Sequence, residues 1–154
     1  MKKQGNETMI EIKEVNDKDT LKAFVLFPFE LYKGSRYWVP PLIAGEMKTF
    51  DPAHNPTLEF CQVQLILAYK QGRIVGRLAL IVNRRENELL GQRKLRFGWL
   101  DFEDDPEITR ALFDYASRWG REHGMEYMEG PVGFCNLDKA ALLTEGFEEL
   151  YHTT

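Results

Sequence analysis

A chain of 154 residues and 18.0 kDa has room for one domain with a substantial core, and a two-domain enzyme would need more. Hydrophobic residues make up 44% and charged residues 29%, a globular mix far from the charged, aromatic-poor composition of disordered chains. A formal charge of −4 with a pI near 5.5 leaves no global positive field to hold a nucleic-acid backbone, so nucleic acid is not expected as a partner.

The first seven residues, Met1 to Glu7, are polar where a secretory leader needs an apolar stretch. No apolar run approaches the roughly 20 residues that span a bilayer. The expectation is a cytoplasmic protein without membrane contact. Cys61 and Cys135 belong to no Cys-x-x-Cys pair, and both read as small buried hydrophobes.

In chain order, Met9 to Val15 alternates as an edge strand does. Asp17 then caps a helix with Leu21, Phe24, Val25, Leu31 and Tyr32 on one face, and Pro28 predicts a kink or break near Phe27, with Gly34 closing the second piece. Trp38 to Pro56 is rich in turn formers and reads as a long surface excursion with one helical turn around Ala44 to Lys48. Val63–Tyr69 and Ile74–Val82, separated by Lys70-Gln71-Gly72-Arg73, form a hairpin. A polar loop over Asn83 to Lys94 leads to a third strand, Leu95 to Glu103, where Leu95, Phe97 and Trp99 share one face.

Asp104-Asp105-Pro106-Glu107 starts a helix, since acids complement the positive end of the helix dipole and proline suits the first turn. Its stripe is Ile108, Ala111, Leu112, Tyr115, Ala116 and Trp119, and His123-Gly124 ends it. A strand from Tyr127 to Met128, stopped at Gly130-Pro131, a short helix over Leu137 to Thr144 and the start of a strand over Glu148 to Thr154 complete the chain. The order describes an α+β fold, a mixed α/β layer with helices on a mostly antiparallel sheet.

The chemistry is narrowed first by what is missing. There is no Gly-x-Ser-x-Gly elbow, P-loop or Gly-x-Gly-x-x-Gly string, and His54, His123 and His152 lack metal-ligand spacing, so no metal site is expected. Arg84, Arg85, Arg93, Lys94 and Arg96 form the one basic cluster, which reads as a solvated loop or as a seat for an anionic phosphate.

Strand Leu95–Glu103, helix Pro106–His123, strand Tyr127–Gly130, Asn136 and the stretch Ala140-Ala141-Leu142-Leu143-Thr144-Glu145-Gly146-Phe147 resemble the core of the GNAT acyltransferase superfamily. The hairpin bearing Gly72-Arg73-Ile74-Val75-Gly76-Arg77 is similar to the second and third strands of such proteins. The resemblance covers Val63 to Phe147. It implies a GNAT-like fold with helices on both faces of the sheet, and acyl transfer from acetyl-CoA or another acyl-CoA to an amine on a small molecule or a protein. The cofactor would lie where two parallel strands separate, with its pyrophosphate on amides at a helix N-terminus.

On that resemblance Asp101 and Glu103 are the candidate general bases, and Phe102, Asp104 and Asn136 are the positions set against the cofactor. The residues by themselves allow a plainer reading, in which the acids complete the start of a helix and Asn136 caps the next one. The sequence also departs from the family pattern. Where the pyrophosphate loop has Gln or Arg followed by spaced glycines, this chain has Glu103-Asp104-Asp105-Pro106-Glu107, four acids and a proline. Each acid repels a diphosphate, and the proline removes an N–H. Leu142 stands where such proteins often carry a tyrosine acid.

Wording such as Trp38-Val39-Pro40-Pro41 further resembles the N-terminal part of longer bacterial GNAT-like proteins, so the chain is expected to be truncated, or half of a two-lobed protein. A missing C-terminal lobe or a homodimer would cover the last strand edge. The competing expectation is a non-catalytic module that binds a partner chain or peptide by strand addition at its C-terminal edge.

Overall fold

The computed structural model describes residues 9–148. Two long apolar strands, β2 (Cys61–Lys70) and β3 (Arg73–Asn83), form the expected hairpin. Its two-residue turn holds Gln71 and Gly72 at φ of 52° and 74°, the left-handed pair that joins right-twisted strands. β1 (Glu11–Glu14) pairs antiparallel with β2, β4 (Lys94–Phe102) antiparallel with β3, and β5 (Tyr127–Glu129) parallel with β4. The sheet order is β1-β2-β3-β4-β5, the mostly antiparallel arrangement expected.

Side chains alternate between two cores. On one face Ile66, Ala68, Leu78, Leu80 and Leu95 pack against Ile108, Leu112, Ala116 and Trp119 of α4 (Pro106–Glu122). Each fully buried aliphatic side chain there contributes about 1.5–3 kcal/mol. α4 lies so close that a Cβ on Gly76 would come within 2.9 Å of Ile108. The other face carries Leu65, Leu67 and Ala79 under Phe24 of α1 (Lys18–Leu31). Asp17 caps α1 as expected, its carboxylate accepting the Thr20 N–H at 2.7 Å. Helices therefore cover both faces of the sheet.

The break expected at Phe27 does not occur, and α1 runs unbroken through Pro28. A helical proline leaves the carbonyl four residues earlier without its donor. That carbonyl, Phe24 O, accepts instead from Nη1 of Arg77 at 2.8 Å. The Trp38–Pro56 excursion is more helical than a single turn, with α2 (Ile43–Thr49) followed by a 3-10 turn at Pro56–Glu59.

The polar segment after β3 is also not a plain loop, since α3 (Arg84–Leu90) occupies it, capped by Asn83. Its Glu86 accepts from Arg96 at 2.8 Å and from Lys94 at 3.3 Å. Lys94 and Arg96 are buried, so two of the five residues of the basic cluster form an internal ion-pair network rather than a solvated loop.

No helix forms over Leu137–Thr144. Leu137, Leu142 and Leu143 find no apolar surface and stay exposed, and a short helix without packing is not stable. Cys61 is buried as expected, whereas Cys135 is exposed because it sits in the turn that Asp138 closes. The strand expected over Glu148–Thr154 lies, beyond Glu148, outside the described residues. Among the described residues no helix is long and apolar enough to cross a membrane.

Candidate functional site

β4 contains a bulge that decides where its side chains point. The β3–β4 register passes from Arg77↔Asp101 to Ala79↔Gly98, so Trp99 and Leu100 together oppose Leu78. Trp99 takes φ of 48°, a conformation bulky residues avoid. It is held there by Glu46 of α2, whose carboxylate accepts from Nε1 at 2.8 Å, and by edge contacts with Phe50 and Phe134. The expected grouping of Leu95, Phe97 and Trp99 is therefore broken. Leu95 and Phe97 stay on the α4 face, joined by Leu100 and Phe102, while Trp99 crosses to the opposite core. Asp101 and Glu103 follow Trp99 onto the α1 face, where Asp101 meets Tyr32 and Glu103 lines a groove beside Leu31.

β4 and β5 then part. Their pairing ends at Arg96↔Glu129, and one further bond runs from Val132 N to Phe97 O at 2.8 Å. At this last meeting the backbones touch at Gly98 and Gly130, where an added Cβ would collide with Val132 O and Phe97 O respectively. Beyond Gly98 no described strand borders the outer edge of β4. The bond from Glu103 N to Val75 O sets the alternation, which turns the backbone groups of Asp101 and Glu103 toward β3 and those of Leu100 and Phe102 outward.

Asp101 is deeply engaged. Its Oδ2 accepts from Nε of Arg77 at 2.9 Å and its Oδ1 from the Tyr32 hydroxyl at 2.7 Å. The Arg77 side chain is only 7% exposed. Burial, reinforced by the Asp101 charge, raises the Tyr32 pKa, so the phenol stays a donor. Glu103 instead pairs with the exposed Arg73 at the hairpin tip.

A diphosphate at the start of α4 would need free amides and no competing anion. Pro106 at the first turn offers no N–H, and the Asp105 carboxylate already accepts the Glu107 N–H at 3.0 Å. Lys70 neutralises Asp105 from 3.1 Å, and the Glu107 hydrogen bond holds the Asp105 carboxyl below the usual aspartate range. A built-in anion occupies the place of an external one, so this terminus does not fit a diphosphate.

No family model matches the chain. It is 35% identical to protein YghO of Escherichia coli (strain K12) over 132 residues, 86% of this chain and 34% of YghO. It is 31% identical to the bacterial ceramide synthase of Caulobacter vibrioides over 129 residues, 83% of this chain and 34% of that protein. The chain thus spans about a third of the length of these curated relatives.

Among solved structures, a tandem GNAT protein from the clavulanic acid biosynthesis pathway superposes with a TM-score of 0.55 at 22% identity, covering 75% of this chain and 34% of that one. An aminoglycoside acetyltransferase from an uncultured soil metagenomic sample gives 0.54 at 16% identity, covering 79% and 76%. The fold is that of the GNAT acetyltransferases. A predicted acetyltransferase from Clostridium acetobutylicum, determined with acetyl-CoA, shares the same GNAT fold at a TM-score of 0.52 and 11% identity, covering 79% of each chain.

Within this GNAT fold the structure places Asp101, Phe102, Glu103 and Asp104 together where β4 runs out. Phe102 presents backbone to the open edge while its ring packs toward α4. Asp104 is exposed. Asn136 lies apart from them and caps no helix; its Oδ1 accepts from Arg96 at 3.1 Å. Sequence reasoning missed Arg77, Tyr32 and Glu46. For Arg77 a signal existed, since an arginine inside the apolar run of β3 is buried only with a partner.

Proposed function

We propose that this chain is a GNAT-fold lobe serving N-acyl transfer, in which an amine attacks an acyl thioester. The observation that carries the reading is the parting of β4 from β5 after Phe97, which leaves the outer edge of β4 open over the residues that lead to Asp101 and Glu103. The C–N bond forms as the C–S bond breaks, the amine proton passes to Glu103 directly or through one water, and the departing thiolate is protonated in turn. Asp101, tied to Arg77 and Tyr32, positions the end of β4. The open backbone of Leu100 and Phe102 suits the amides of a pantetheine arm; a donor's diphosphate must find its counter-charge away from α4.

The name of one relative supports amide formation as the reaction class. A ceramide is the amide of a fatty acid and a long-chain amino alcohol, and the Caulobacter relative is named for making it. The lobe's place within a longer polypeptide is part of the proposal, given the third of each relative that it matches.

The test is amide formation, read by mass spectrometry, from an acyl-CoA and an amine acceptor. Activity is expected, and Glu103→Gln is expected to lower it by about 10²–10⁴-fold without a change in melting temperature. A folded protein that forms no amide, with no calorimetric heat from acetyl-CoA, would remove the enzymatic reading.

A second reading is favoured by Leu137, Leu142, Leu143 and Phe147, all exposed in the segment that follows the last described strand. They suit a partner chain, a further lobe or a second copy added at the β5 edge. A sizing column showing a stable monomer with no affinity for other chains removes that reading.

A further inference from the structure

Between α1 and the tip of the β2–β3 hairpin runs an open groove of about 810 Å³, within the range of small-molecule sites. Its walls are aliphatic and aromatic. Leu26, Phe27 and Leu31 from one stripe of α1 face Ile74 of β3. Its charged groups are Glu30, Glu103 and Arg73. Arg73 pairs with Glu103, and Glu30 has no ion-pair partner among the described residues, so the three sum to one negative charge.

Resting on the N-acyl transfer reading, we propose that this groove is the acceptor site and that its ligand is an aliphatic amine with a long alkyl tail. The ammonium sits between Glu30 and Glu103, and the tail lies along Leu26, Phe27, Leu31 and Ile74. Charge complementarity selects a cation at the head, and the unbroken apolar wall selects a hydrocarbon behind it. Glu103 then holds both the position of the bound ammonium and the carboxylate that takes its proton.

A second groove of about 740 Å³, between α1, α2 and β2, does not share these properties. Its Asp17 and Asp51 are balanced by Lys18 and Lys48, so it carries no net negative charge, whereas Glu30 leaves the first groove with one. It also lies away from Glu103.

The test is calorimetric titration of the full chain with dodecylamine, butylamine and dodecanol, each below its aggregation concentration. Dodecylamine is expected to bind at least about tenfold more tightly than either, because only it satisfies wall and head together. Leu26→Trp, which fills the groove, is expected to abolish that advantage while butylamine binding is unchanged, and Glu30→Gln to bring dodecylamine down to dodecanol. Methyl resonances of Leu31 and Ile74 in the unaltered protein should shift with dodecylamine, which reads the site without relying on a variant.

Dodecanol binding as tightly as dodecylamine, or methyl shifts confined to Leu58 and Val63 in the other groove, would overturn the assignment. Dodecylamine held in the groove with no amide ever formed would sink only the acyl-transfer reading. Amide formation from long-chain amines untouched by Leu26→Trp would sink only the groove.

Discussion

Arg77 of β3 ties the end of β4 to the proline-bearing turn of α1. Its guanidinium bonds Asp101 of β4, donates to the Phe24 carbonyl that Pro28 leaves free, and lies 4.9 Å from the Phe24 ring centre. Removing one partner of a buried ion pair strands the other, so Arg77→Met is expected to lower stability by about 3–5 kcal/mol in urea unfolding. Pro28→Ala restores an N–H for Phe24 O. It should therefore help the Arg77→Met protein by about 1 kcal/mol more than it helps the unaltered one. Equal effects in both backgrounds would mean that Arg77 does not substitute for the missing donor. The sequence showed the arginine and the proline separately; that one answers the other is a contact over 53 residues of chain, invisible to local patterns.

At the scale of elements, α3 is fastened to β4 by charge. Arg96 hydrogen bonds, with help from Lys94, hold the Glu86 carboxyl below its ordinary value of 4.5. A carboxyl lowered by folding adds stability that is complete above the unfolded value and is lost as pH falls through the folded one. Stability should therefore fall as pH drops below the ordinary carboxyl value of 4.5, and Glu86→Gln should flatten that limb of a pH series of denaturant midpoints.

The meeting of β4 and β5 depends on backbone contact. Gly98→Ala is expected to cost about 1–3 kcal/mol, because its Cβ would strike Val132 O and push the Gly130–Gly133 segment from β4. Proton exchange at the Val132 amide should quicken in the same variant; an unchanged rate would mean that β5 does not rest on that approach. The helix expected over Leu137–Thr144 belongs to this scale too. Its apolar residues satisfied a local pattern, but no described surface receives them.

For the whole molecule, negative charge gathers on one side. Acids crowd the end of β4 and the start of α4, and the nearby cations Lys70 and Arg73 are spent on Asp105 and Glu103. ADP at about 1 mM is accordingly expected to leave the melting temperature unchanged, since a ligand stabilises only in proportion to its binding. A shift of several degrees would reveal a diphosphate site away from α4. The same crowding of carboxylates favours the cationic acceptor proposed for the groove beside α1.

Local chemistry sufficed for the parts of this fold that repeat along the chain. The β-rich runs of β2 and β3 around a glycine-bearing turn, the three- and four-residue steps of α4, its acid–proline start and the cap at Asp17 depend on neighbours within a few residues, and each was legible in the sequence. Tertiary structure alone decided the rest. The bulge at Trp99 turns Asp101 and Glu103 onto the α1 face, and a bulge is a mismatch between two strands whose register no single strand contains. The same holds for Lys94 and Arg96, whose burial waits on a glutamate from a helix that packs beside them.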